Sequence, residues 1–136
     1  MIGKAIRVLV VDDDKDQTEL TGRYLRGSGF VVEVTNGAFG VSNLVRNFAP
    51  DVVLLDVEIP ALSGDRLLTL ARREAPLSTK FVLFSAWDEG RLRKLARESN
   101  AHGYVPKDRG LESLVQTLKR LCGHSAAAGG GEREPS

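Results

Sequence analysis

The chain has 136 residues, 42% of them hydrophobic and 27% charged, a balance that fits one globular domain with its own core. Its formal net charge is +1 and no basic stripe stands out, which argues against a nucleic-acid binder; no apolar stretch approaches the ~20 residues of a membrane span. Nothing at the N-terminus resembles a signal peptide and the single cysteine, Cys122, has no partner for an intrachain disulfide, so the expected setting is the cytoplasm.

Apolar runs then alternate with helical patterns. Ile6–Val11 predicts a strand that ends in Asp12-Asp13-Asp14. A polar helix follows, with Asp14 as its N-cap, and stops near Gly27-Ser28-Gly29. Phe30–Val34 predicts the second strand, and Val41, Leu44, Val45 and Phe48 form one helical stripe after it. Asp51–Asp56 predicts the third strand; its unbroken apolar run implies burial on both faces, as in the middle of a parallel sheet. Leu67, Leu70 and Ala71 give the next helix a buried side. Phe81–Phe84 is the fourth strand, Leu92, Leu95 and Ala96 mark the fourth helix, and Gly103–Val105 is a short fifth strand. Leu111, Leu114, Val115 and Leu118 mark the last helix. Strand–helix alternation implies right-handed βαβ units, so the predicted class is α/β: a doubly wound five-stranded parallel sheet with helices on both faces. Residues 1–122 are expected to form the domain, and residues 123–136, small and Gly/Ala-rich, a disordered tail.

Ligands in such sheets bind beyond the carboxyl ends of the strands. There the first strand supplies Asp12 and Asp13, the third Asp56, the fourth Ser85, and the fifth leads to Lys107. Converging carboxylates repel one another unless a cation joins them, and oxygen ligands suit a hard divalent ion, Mg²⁺ foremost. Carboxylate-held metal with a lysine nearby favours phosphoryl chemistry.

The pieces Val10-Val11-Asp12-Asp13-Asp14, Asp56-Val57-Glu58-Ile59-Pro60 with Gly64, Phe84-Ser85-Ala86 and Gly103-Tyr104-Val105-Pro106-Lys107-Asp108, in that order, resemble response-regulator receiver domains from about Ala5 to Leu121. The resemblance, closest to single-domain chemotaxis-type regulators, implies a flavodoxin-like fold with strand order 2-1-3-4-5. It implies that Asp56 is the phosphoacceptor, taking its group from a sensor histidine kinase or a histidine phosphotransfer protein. Asp12, Asp13, Asp56 and the backbone carbonyl of Glu58 would be the Mg²⁺ ligands. Ser85 and Lys107 would bind the phosphoryl group, and Tyr104 would change rotamer on activation. Glu58 and Trp87 stand at positions that tune the lifetime of the phosphorylated state. Such a chain is a switch rather than an enzyme, and it signals to an output protein through the fourth helix, fifth strand and fifth helix; neither nucleic acid nor membrane is an expected partner.

Three departures from the family pattern are mild. Ile59 stands where Met is common. Asn100 replaces the Gly that usually ends the fourth helix, and Asn is the next best residue for a left-handed cap. Lys107-Asp108 replaces Lys-Pro, whose bond is often cis; a cis bond before a non-proline costs about 2.5–4 kcal/mol, and the sequence leaves the isomer open.

Other readings are weaker. Asp12, Asp14 and Asp16 imitate the start of an EF-hand loop, but Gln17 replaces its Gly and Arg23 its bidentate Glu. Asp12-x-Asp14 also matches a phosphatase of the haloacid-dehalogenase type formally, yet Asp16 stands where Thr or Val belongs. A pseudo-receiver would lack one of the site residues, and none is missing. Arg91, Arg93, Lys94 and Arg97 crowd the fourth helix, either as a solvated face or as a basic surface for an acidic partner. His102 is read as a loop residue, His124 as part of the tail and Cys122 as a small residue at a helix end.

Overall fold

The five β-rich runs pair as one parallel sheet: β1 (Arg7–Val11), β2 (Val31–Thr35), β3 (Val52–Leu55), β4 (Lys80–Ser85) and β5 (Gly103–Pro106). Their order is β2-β1-β3-β4-β5, as expected. This is a computed structural model describing residues 5–37, 40–57 and 64–123, with only the backbone described at residues 64, 65, 67 and 70. The expectations resting on Glu58, Ile59, Pro60, the side chains of Leu67 and Leu70, and the segment beyond Gly123 lie outside the described residues.

Alternation along each strand splits the core in two. Leu9, Val11, Val53, Leu55, Phe81 and Leu83 face the helices α2 (Val41–Phe48), α3 (Gly64–Glu74) and α4 (Glu89–Ser99). Val8, Val10, Val52, Leu54, Val82 and Val105 face α1 (Lys15–Gly27) and α5 (Leu111–Leu121). Every residue of β3 is therefore buried, which is why that strand reads as one apolar run. Fully buried leucines such as Leu9 and Leu54 each contribute about 1.5–3 kcal/mol by leaving water.

The helix ends follow local chemistry. Asp14 caps α1, its carboxylate accepting from the Gln17 N–H at 3.1 Å. At the other end Gly29 takes φ +100°, and the Phe30 N–H reaches back to the Leu25 carbonyl at 3.0 Å. Asn100 closes α4 in the left-handed conformation, φ 60°, as its side chain allows. α2 ends on Ala49 at φ 51°, a conformation that its Cβ disfavours. The stripe read for α3 was incomplete: Leu68 is fully buried beside Ala71, because the phase of a short helix is ambiguous when three leucines stand within four positions. No cis bond occurs among the described residues, so Lys107–Asp108 is trans; it opens a short 3-10 turn, Lys107–Arg109.

Register fixes the strand ends against one another. Val11 pairs with Leu55, and Ser85 with Pro106. Proline is tolerated there because β5 is an edge strand.

Candidate functional site

Three acidic side chains emerge where β1 and β3 end. Asp12 and Asp56 are buried, while Asp13 is exposed. One carboxylate oxygen from each lies within 4.8 Å of the others, close enough to share a metal ion. The backbone holds two of them in line with the sheet: the Asp12 N–H donates to the Thr35 carbonyl at 3.2 Å and the Asp56 N–H to the Val11 carbonyl at 2.9 Å.

Lys107 enters from the end of β5. Its Nζ lies 2.6 Å from Asp12 Oδ2 and 3.4 Å from Asp56 Oδ2, above the Phe84 ring. Partial burial alone would lower its pKa. The hydrogen bond to Asp12 and the charges of both carboxylates outweigh that, and the net direction is upward. Lys107 is therefore a fixed cation. Among the described residues no ion pair reaches Asp13, so the lysine answers two of the three acids. An oxygen-only donor set of net negative charge matches the preference of Mg²⁺, which keeps several waters and takes few protein ligands.

Asp12 is oriented from both sides. Its Oδ1 accepts the Asp14 N–H at 3.0 Å, and its backbone carbonyl accepts from Asn36 Nδ2 at 3.1 Å. Asn36 also donates to Thr18 Oγ1 at 2.7 Å, which ties β2 and α1 to the site. The sequence reading missed Asn36 and Thr18. Nothing in their local pattern marks them, because their roles arise only when β2 lies beside β1.

Ser85 is fully buried at the end of β4, and its Oγ accepts the Trp87 N–H at 3.2 Å. Its own hydroxyl proton remains available for a further acceptor. Trp87 is half-buried, with the Arg91 guanidinium stacked 3.7 Å over its ring. Tyr104 is half-buried too, and its hydroxyl donates to Glu89 Oε2 at 3.2 Å, away from the acids and toward α4. The described parts of the expected site thus gather as Asp12, Asp13, Asp56 and Lys107, with Ser85 at the next strand end. Glu58, expected both as a carbonyl ligand and as a lifetime residue, lies outside the described residues.

His102 lies in the loop before β5, as read, and is bonded there: its Nδ1 accepts the Phe81 N–H at 2.9 Å and its own N–H donates to the Phe81 carbonyl at 2.8 Å, joining the starts of β4 and β5. The basic residues of α4 are all exposed, and two of them also have partners: Arg91 stacks on Trp87, and Arg93 faces Tyr104 and Glu89. Cys122 keeps its bland reading. Burial pushes its thiol up to about 11, so it stays protonated and unreactive.

Comparison with known proteins points to one family and one fold. The response regulator receiver domain family matches residues 8–119. The response regulator MprA of Mycobacterium sp. (strain KMS) is 31% identical over 116 residues, 85% of this chain and 50% of that protein. A cyclic di-GMP phosphodiesterase of Thermotoga maritima is 36% identical over 108 residues, 79% of this chain and 28% of that protein. The chain therefore spans about half the length, or less, of the curated relatives it matches. In fold it is similar to a CheY-like receiver domain protein from Methanospirillum hungatei JF-1, with a TM-score of 0.79 at 22% identity, covering 93% of this chain and 100% of that one. The response regulator domain of Thermotoga maritima CheB gives a TM-score of 0.75 at 20% identity, covering 88% and 97%.

Proposed function

This chain belongs to the response regulator receiver domain family, and we propose that its Asp56 accepts the phosphoryl group by which such domains are switched. The observation that carries this reading is the meeting of Asp12, Asp13, Asp56 and Lys107 at one edge of the sheet. Asp56 follows the last residue of the central strand and lies near the acid pair and the lysine, which bridges it to Asp12.

The donor is a phosphohistidine on a sensor kinase or a phosphotransfer protein. The phosphorus–nitrogen bond breaks as an Asp56 carboxylate oxygen bonds to phosphorus, and the imidazole leaves with the electron pair. Mg²⁺ held by Asp12, Asp13 and Asp56 would supply positive charge to the phosphoryl oxygens. Lys107, its charged form favoured by the neighbouring carboxylates, pairs with an oxygen of the transferred group, and the buried Ser85 hydroxyl donates to another. The domain catalyses only its own phosphorylation and the later loss of the group to water; it turns over no other substrate. Trp87, pinned by Arg91 close to Ser85, narrows the approach of that water and prolongs the active state.

The phosphorylated form is read on α4, β5 and α5. Lys94 and Arg97, exposed on α4, favour an output protein with an acidic patch. The receiver unit runs to Cys122. A cytoplasmic setting, where a kinase can reach the site, accompanies this role; among the described residues no helix is long and apolar enough to cross a membrane.

The test is mass spectrometry after incubation with acetyl phosphate and Mg²⁺. One acid-labile phosphoryl group is expected on Asp56 and none on Asp56→Asn. Equal labelling of the two proteins would remove Asp56 from the role.

A further inference from the structure

Glu89, the first residue of α4, joins three elements through one carboxylate. Its Oε2 takes the Tyr104 hydroxyl of β5 at 3.2 Å, and its Oε1 takes Arg109 Nη2, from the turn after β5, at 2.5 Å. Arg93, one turn further along α4, faces the same hydroxyl and the same carboxylate. None of Glu89, Arg93 and Arg109 belongs to the acid cluster.

We propose that Glu89 is a latch holding the Tyr104 ring with its hydroxyl turned out toward α4, and that Arg109 is the clasp holding Glu89 in place. This deepens the reading of Asp56 above: Glu89 and Arg109 are positioning residues that set how readily the phosphorylated conformation is reached. Tyr104 cannot keep its bond to Glu89 and also turn toward Ser85. The rotamer change must break a hydrogen bond to a charged acceptor, a stronger bond than one between neutral groups.

The route from the site to the latch is short. Lys107 and Arg109 lie in the same three-residue 3-10 turn, one at each end. When Lys107 leaves Asp12 for a phosphoryl oxygen, that turn shifts and draws Arg109 off Glu89. The clasp itself does little for the stability of the fold, because both side chains are nearly half exposed, at 46% and 42%, and surface pairs contribute little. Its effect falls on the choice between two ring positions of Tyr104; because water competes for so exposed a carboxylate, the bond is held to the ordinary net range, and it changes a population ratio by about two- to tenfold.

The test uses the full chain. Nuclear Overhauser contacts of the Tyr104 ring are recorded without phosphoryl donor, and the rate of labelling by acetyl phosphate with Mg²⁺ is measured separately. In the unphosphorylated wild-type chain the ring should contact the Glu89 side chain. In Glu89→Ala it should gain contacts to Ser85, and labelling should quicken about two- to tenfold. Glu89→Gln, which keeps the acceptor but loses the clasp, should fall between. Tyr104→Phe, which removes only the hydroxyl, should quicken labelling as much as Glu89→Ala, and combining the two should add nothing. A ring that keeps its wild-type contacts in both Glu89 variants would overturn the latch, as would a ring that turns while the wild type and both variants all take label on Asp56 at the same rate. A ring that turns in Glu89→Ala while no protein takes label on Asp56 would support the latch and remove Asp56 from its role.

Discussion

The two ends of the sheet treat their polar groups in opposite ways. At the amino ends of the strands, polar groups close on one another. Arg7 donates through Nε and Nη2 to the Phe48 carbonyl at 3.0 and 2.6 Å and stacks over the Phe48 ring, while its N–H donates to Asp51 Oδ2 at 2.8 Å. The buried Thr79 hydroxyl donates to the Pro50 carbonyl at 2.8 Å, and His102 takes the Phe81 N–H. At the carboxyl ends, three acids of like charge are gathered around one lysine. The first end is complete in itself; the second gathers like charges that could hold a metal ion, and it is where the proposed phosphoryl chemistry would take place. Stability is therefore concentrated at one end and chemistry at the other, and substitutions should separate along that line.

The largest effect is expected at the acids. Asp13→Ala should abolish the Mg²⁺-dependent change in Trp87 fluorescence and slow labelling by acetyl phosphate at least tenfold. In metal-free buffer the same variant should be equal to the wild type or more stable, because a like charge has left the cluster. A loss of stability there would place Asp13 in the fold rather than in the chemistry.

At the other end the signs reverse. Arg7→Ala should cost about 1.5–3 kcal/mol by urea unfolding, the range for hydrogen bonds from a charged donor, and Thr79→Val about 1–3 kcal/mol by leaving a buried carbonyl unpaired. Labelling of Asp56 should be unchanged in both. A labelling defect in either would dissolve the division between the ends.

Ala49→Gly should go the other way and stabilise by up to about 1 kcal/mol, since it relieves a left-handed alanine while adding freedom to the unfolded chain. The thermal midpoint measures this.

The smallest effect concerns acid. Burial foremost, then the charges of Lys80 and Arg72, hold the His102 pKa below its usual value of about 6.5. Its Nδ1 must also stay unprotonated to accept from Phe81. The folded form thus binds this proton less readily than the unfolded one. Its contribution to stability is full above pH ~6.5 and falls as the pH drops from there toward the depressed folded value. His102→Gln should flatten that part of the stability curve, and a curve of unchanged slope would detach His102 from it.

Nearly all of the fold was legible in the sequence because its two periods are clean. Val41 with Val45, Leu92 with Ala96 and Leu114 with Leu118 carry the helical phase, and the unbroken Val52–Leu55 run carries the central strand. Boundaries moved by a residue or so, as at Ile6 and Ser85. Asp12, Asp13, Asp56, Ser85 and Lys107 were legible too, since each stands one or two residues beyond an apolar run or at its end. What escaped was support that crosses between segments. Asn36 beneath Asp12, Glu89 against Tyr104, and Arg72, which donates to the Ser99 and Asn100 carbonyls at the end of α4, lie in stretches whose local pattern says only that they are polar. Their partners are fixed by which strand lies beside which, and no local period encodes that.

Register gives the chain an uneven tolerance for changes in length. Asp12 comes one residue after Val11, Asp56 one after its partner Leu55, and Lys107 one after Pro106, which pairs with Ser85. The sheet acts as a ruler, and three of the reactive groups occupy the first notch past its edge. An added or deleted residue within β1, β3 or β5 shifts its group by about 3.3 Å and turns it to the opposite face. The same change at Leu77, fully exposed in the connection between α3 and β4, alters only the length of a surface crossing. Insertions and deletions passed on in descent should therefore collect at such crossings, leaving the spacing inside each strand as the one length this switch has to keep.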